Sequence, residues 1–135
     1  MNLLIKMLTK YLARFSMILL LLIITYGCSN ANSEFDKELN RLLNSSKSNE
    51  INTRQKKFFN ELYGRDKSRQ QGMEYCQLLT KGISKEEIRK NNILTGLELI
   101  NQGKLTPEKS ADIDMIDISI QLAAEKAYCP EHIDL

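Results

Sequence analysis

Three cysteines and a single histidine carry the most specific chemistry in this 135-residue chain. Cys76 and Cys129 both fall on apolar helix faces, far apart in the chain. In a small exported domain such a pair is most simply a disulfide, with two buried free thiols as the alternative. Closing a loop of 53 residues removes about 4 kcal/mol of unfolded-state entropy in the chain-entropy model. No C-x-x-C is present to support thioredoxin-type exchange. Cys129-Pro130-Glu131-His132 places the histidine beside a cysteine, and Cys76 would make a third metal ligand. A structural zinc site usually takes four ligands, mostly in close pairs. His132 therefore reads as a surface residue near the C-terminus, and no metal or other cofactor is expected. One histidine also leaves few routes to a nucleophile–His machine. Asp112, Asp114 and Asp117 cluster with Glu108 but lack the central Gly and further oxygen ligands of an EF-hand loop. They read as the polar edge of a helix whose N-terminal half they suit electrostatically. No catalytic set is visible, and the chain is not expected to be an enzyme.

Cys28 belongs to a different context. Residues 1–14 carry Lys6, Lys10 and Arg14 and no acid, and Phe15 to Tyr26 is almost wholly apolar. A basic start, a short apolar run and small residues before a cut define a secretory signal peptide, assigned to residues 1–27. The run is about a dozen residues, short of the roughly 20 that a spanning helix needs. Gly27-Cys28-Ser29 resembles the end of a bacterial lipobox, which predicts a diacylglyceryl group on Cys28 as a membrane anchor. Thr25 and Tyr26 depart from the usual Leu and small residue, so ordinary cleavage after Gly27 or Ala31 competes, as does an uncleaved anchor.

Without that signal the charge balance changes sign. Removing three of the 19 basic residues leaves 16 Lys and Arg against 17 Asp and Glu, a net charge of −1. Nucleic-acid binding needs a basic face, and none is expected here. The densest basic stretch, Arg54 to Arg69, reads as a solvated helix face, with anionic lipid or phosphate contact as the other reading.

These residues need helices to place them. Residues 28–52, rich in Asn, Ser, Lys and Glu, read as a flexible tether. Phe35, Leu39, Leu42 and Leu43 interrupt it at the spacing of a marginal helix. The helical domain is assigned to residues 53–135. Phe58, Phe59 and Leu62 suggest a helix stopping at Gly64. A second helix runs from about Ser68 to Lys81, with Met73, Cys76, Leu79 and Thr80 on one side. Ser84-Lys85-Glu86-Glu87 is a capping box flanked by Ile83 and Ile88 at the staple positions, and Ile93, Leu94, Leu97 and Ile100 carry that third helix to Gly103. Thr106-Pro107 opens the fourth, a cap residue followed by Pro at the first helical position. The fourth helix carries two apolar stripes, Ala111, Met115, Ile118 and Leu122, extended by Cys129, and Ile116, Ile120, Ala123 and Ala127. The fold class is all-α, a small bundle of three to four helices stapled by one disulfide.

Four ordered motifs resemble a known family. They are Phe58-Phe59-x-x-Leu62, then Gly72-x-x-x-Cys76-x-x-Leu79-x-x-Gly82-x-Ser84, then Leu105-Thr106-Pro107-Glu108, then Ala127-Tyr128-Cys129-Pro130-Glu131-His132. Over residues 58–132 this is similar to the secreted helical family called domain of unknown function 732. The resemblance implies a small helical bundle with Cys76 paired to Cys129, and brings no biochemical activity with it. The third helix departs from the pattern, being long and polar here, with Asn91-Asn92 and Gly96 interrupting its apolar face.

Together these readings describe a non-catalytic exported envelope lipoprotein, a binding or structural module facing the periplasm or the cell surface. It would meet the membrane through lipid on Cys28 and hold a protein partner or ligand that the residues do not identify. A periplasmic acid-activated chaperone and an inhibitor or immunity protein for an envelope enzyme are the alternatives.

Overall fold

The structure, a computed structural model, describes residues 30–133, so Cys28 and the proposed signal lie outside the described residues. The chain divides into a unit ending at Ser33 and a compact unit beginning at Glu34, which holds the core. Five α-helices occupy the described residues, one more than the upper expectation, and none of these residues forms a strand. They are α1 (residues 30–42), α2 (Asn49–Leu62), α3 (Gly64–Thr80), α4 (Lys85–Asn101) and α5 (Pro107–Ala127), followed by a 3-10 turn at Pro130–His132.

The additional helix, α1, corrects the reading of residues 28–52 as a tether. Phe35, Leu39 and Leu43 are buried in the same cluster as Tyr75, Ile116 and Ala124. The stripe is short and its surroundings polar, yet its i, i+4, i+8 spacing puts all three side chains on one face. The Phe35 ring stacks on Tyr128 with centroids 5.1 Å apart, a geometry that adds about 1 kcal/mol beyond burial. The Asn- and Ser-rich link to α2 is also tied down. Asn52 accepts from the Ser46 amide at 3.1 Å and donates to the Ser46 carbonyl at 3.0 Å, while Ser48 caps α2 through the Ile51 amide.

Local chemistry sets the remaining boundaries. Ser84 accepts from the Glu87 amide and Thr106 from the Lys109 amide, as their cap positions require. Gly82 and Gly103 follow the ends of α3 and α4 with φ of +85° and +68°. That left-handed conformation lets Ile83 and Lys104 donate back to the carbonyls of Leu78 and Leu99. The apolar faces are less faithful to expectation. On α3 the buried line is Ser68, Gly72, Tyr75, Cys76 and Leu79, and Met73 points outward. On α5 the stripe through Ile116, Ile120 and Ala123 is the core, whereas Met115 and Leu122 of the other stripe remain 47–52% exposed.

The seam between α3 and α5 is the tightest in the bundle. Cys76 and Cys129 are joined, with Cα atoms 5.8 Å apart. Cys129 lies beyond α5 and does not extend its stripe: α5 ends at Ala127, and the chain curls so that the Cys129 amide donates to the Ala124 carbonyl at 3.2 Å. One turn before Cys76, Gly72 faces Phe35 and Ala124. A Cβ on Gly72 would lie 2.9 Å from the Phe35 ring and 3.1 Å from the Ala124 methyl. Gly72→Ala should therefore destabilise the fold despite its better helix propensity. The propensity gain is up to about 1 kcal/mol, and overpacking against a buried ring costs about 1–3 kcal/mol. Urea denaturation should show a net loss of up to about 2 kcal/mol, and a stabilised variant would contradict the close approach.

Candidate interaction surface

α5 is the helix against which the other four are fixed, and its polar residues do much of the fixing. Asp112 is 4% exposed. Arg54 of α2 reaches it with Nη2 3.0 Å from Oδ1 and Nε 2.9 Å from Oδ2, the second contact an ion pair without hydrogen-bond alignment. Asp117 Oδ1 accepts from Tyr63 at 2.7 Å and from Gln71 Nε2 at 3.1 Å. Glu125 accepts from the Tyr75 hydroxyl of α3 at 2.6 Å and pairs with Lys85 of α4 at 3.0 Å. Lys126 reaches Glu38 of α1 at 2.9 Å. The acids expected to form a solvated helix edge thus include three ties to other segments, Asp112, Asp117 and the more exposed Glu108. A carboxylate one turn from an apolar core residue gives no sequence signal of its own, because its partner lies on another helix.

The basic stretch is consumed in the same way. Arg54 pairs with Asp112 and Glu108, Lys57 with Glu61, and Arg65 and Arg69 converge on Asp36 of α1. Lys67 donates to the Leu62 carbonyl and lies 5.5 Å from the centre of the Tyr63 ring. Little of the stretch is left as an unpartnered face for phosphate.

The cysteine chemistry is settled by the disulfide, which removes the Cys129 sulfur from any thiolate ligand set. His132 has Glu131 as its ionic neighbour at 3.9 Å. Among the described residues no group of three or more His, Cys, Asp or Glu side chains is gathered for a metal. Cys28, the proposed lipid attachment site, lies outside the described residues.

Among the large apolar side chains, several remain exposed. Ile93, Leu94 and Leu97 of α4 are 45–52% exposed, and Ile88 is the one fully buried side chain of that helix. Between α4 and α5 runs an open groove of about 320 Å³. Ile93, Leu97 and Ile100 form one wall, Pro107, Ala111 and Ile113 the other, with Ser110, Asp114 and Asp117 of α5 and Asn92 and Thr95 of α4 among its polar groups. Of the outward stripe of α5, Ala111 lines the groove, while Met115 and Leu122 are exposed outside it. Ile93, Leu94 and Leu97 on α4 and Met115 and Leu122 on α5, which the sequence assigns to packing, instead remain about half exposed. No described helix is long and apolar enough to cross a membrane.

Two carboxyls titrate away from their ordinary values, in opposite directions. The Arg41 hydrogen bond, with its Nε 3.1 Å from each carboxylate oxygen, is the largest influence on Glu38. With Lys126 it holds Glu38 at about 2, down from 4.5, against the opposing effect of burial. Burial raises Asp117 above its usual 3.8, outweighing the bonds from Tyr63 and Gln71, and the charge of Asp114 adds to the rise.

Comparison with known proteins returns nothing: no family model matches the chain, and neither a curated protein nor a solved structure is significantly similar.

The depressed Glu38 fixes the sign of one pH effect. Its stabilisation is complete above its unfolded value near 4.5 and is lost as pH falls toward about 2. Glu38→Gln should be less stable than the parent at pH 7 by on the order of 1 kcal/mol, allowing for solvent around Arg41. That gap should shrink as pH falls from about 4.5 to about 2. Denaturant titrations at pH 7 and pH 3 measure it, and a gap that widens in acid would contradict the assignment.

Proposed function

We propose that this chain is a non-catalytic, exported and lipid-anchored helical module that holds an apolar partner in the groove between α4 and α5. The observation that carries the binding reading is the open α4–α5 groove with Ile93 and Leu97 left about half exposed on its wall. Contiguous apolar surface of this kind marks interaction sites in soluble domains. The residues arranged on the other helices tie the bundle together, and among the described residues none of these is assembled as nucleophile, base and orienting group. The motif resemblance over residues 58–132 supports the same disulfide-stapled architecture and adds no activity. Export and anchoring rest on the basic start, the apolar run and Cys28. In this reading the domain faces the periplasm or the cell surface.

The anchor is testable in cells. A clickable fatty-acid analogue fed to the producing bacterium should label the full chain and move it into the membrane fraction. Cys28→Ala should abolish both. Label that survives Cys28→Ala, or never appears, removes the lipid from the proposal. The groove is tested with an apolar fluorescent probe such as N-phenylnaphthylamine. Saturable binding is expected, weakened about tenfold or more by Leu97→Asp, since burial of a leucine side chain is worth about 1.5–3 kcal/mol. Ala111→Trp, which fills the groove from the other wall, should do the same. Binding indifferent to both substitutions would exclude the groove.

One observation favours a second reading, the acid-activated chaperone. The Glu38–Lys126 pair ties α1 to α5 and weakens as acid protonates Glu38. Loosening α1 would uncover Phe35, Leu39 and Leu43 while the disulfide kept α3 on the end of α5. Protection of an aggregating client between pH 2 and 4, absent at neutral pH, would favour this reading over the groove. A compact and inert domain in that range would remove it.

A further inference from the structure

α4 carries a second exposed row, separate from the groove, along its outward i±4 line: Glu86, Lys90, Leu94, Glu98 and Gln102. Leu94 stands at its centre, 52% exposed, with Ile93 and Leu97 beside it. Leu94 does not line the α4–α5 groove. Leu94 is the one apolar side chain of that row, set between charged residues on both sides. The charges around Leu94 have a particular symmetry. Lys90 lies four residues before it and Glu98 four residues after it. Among the described residues neither makes an ion pair, and Glu98 holds only the Gln102 amide at 3.0 Å.

That arrangement is complementary to itself. In the commonest class of helix packing the i±4 rows of two helices lie side by side, at a crossing angle of about −50°. If two α4 helices meet antiparallel with a twofold axis at Leu94, each Lys90 lies level with Glu98 of the second copy, and each Glu86 with its Gln102. A parallel pairing in register would set Lys90 against Lys90 and Glu98 against Glu98, which repel. A one-turn slip would press Leu94 against a charge. Twofold contacts require this kind of self-matching patch. An anionic bilayer is a poorer fit, because Glu98 flanks the leucine as closely as Lys90 does.

We propose that the outward row of α4 is a homodimer surface, with a second copy of this chain docked antiparallel about Leu94. One helix pair lies at the small end of specific interfaces, so the association is weak and reversible. Confinement to a surface would raise its occupancy through effective concentration. The dimer does not depend on the groove or its occupant.

The test uses the full chain in the producing cell, with Leu94→p-benzoylphenylalanine as a photo-crosslinking probe. Illumination should give a covalent product of twice the chain mass, composed of two differently tagged copies. The same probe at Gln77, exposed on α3, should give none. Lys90→Glu and Glu98→Lys should each lower the yield about tenfold, because each reversal acts twice across the axis. The double variant Lys90→Glu, Glu98→Lys should restore it, as only a direct pairing of the two residues would. No product, a product containing only lipid, or a product with a different protein would overturn the proposal. So would a double variant no better than the singles. Each substitution is on an exposed side chain, and circular dichroism with an intact Cys76–Cys129 disulfide establishes that the variants fold.

Discussion

Everything in this bundle is referred to the seam where α3 meets the C-terminal half of α5. Gly72 removes a side chain so that the Phe35 ring and the Ala124 methyl can occupy its place. One turn later the Cys76–Cys129 disulfide holds the same two segments together. The two devices act on different states. The glycine allows a short distance in the folded protein, and the disulfide limits the unfolded chain by closing a long loop, worth about 4 kcal/mol in the entropic model. A domain of about this size has too little core to be stable by a wide margin. Either device alone would leave α1 without a floor, because Phe35 rests on the surface that both of them create.

The polar ties obey a second rule: α5 reaches every other helix with a charged or hydrogen-bonded side chain. Glu38 with Lys126, Arg54 with Asp112, Tyr75 and Lys85 with Glu125, and Tyr63 with Asp117 bind α1, α2, α3 and α4 to one central rod. Ion pairs that are largely removed from water contribute little net stability, because desolvation offsets attraction. Removing one partner costs far more than the pair is worth. Their effect here is selective. Small apolar side chains such as Ala123 and Ala124 would accept several registers, and a mismatched register would bury Asp112 or Glu125 without a partner. α1 is the exception in kind, since its Glu38 also pairs with Arg41 on its own helix and so loses less when the bundle opens.

Much of this architecture is legible in the residues, and the parts that are not share one cause. Caps and stops are local: Ser84, Thr106-Pro107, Gly82 and Gly103 act within one turn of the backbone, and the helices begin and end where they say. The cysteine pair is legible because few alternatives exist for two apolar-face cysteines in a chain that reads as exported. What a sequence period cannot give is the partner of an apolar face. α1 carries a good stripe in a poor context, and the Asn- and Ser-rich composition around it outweighs three core residues. α5 carries two stripes of equal quality, and only the position of α3 decides that Ile116 and Ile120 face inward while Met115 and Leu122 face out. Asp112 and Asp117 are illegible for the same reason, since their partners are 58 and 54 residues away.

The outward stripes then follow from how α4 is attached. It is fastened at its start, by Lys85 on Glu125 and by Ile88 in the core. Farther along, Gly96 faces Ser110, where an added Cβ would lie 2.8 Å from the serine hydroxyl. A small polar contact brings the two backbones near each other there without drawing the neighbouring branched side chains between them. Ile93 and Leu97 consequently flank the contact instead of filling it, which is what opens the groove. A helix with Ile88 as its one buried side chain has few apolar contacts to lose on moving, so its local stability is lower than that of the α3–α5 seam. Surface for a partner arises most readily at such an element, because the apolar area left unburied in the monomer is available to whatever covers it. The rigid seam and the loosely held helix are thus complementary consequences of one packing choice: α5 gives its best face to α3 and leaves its second stripe open.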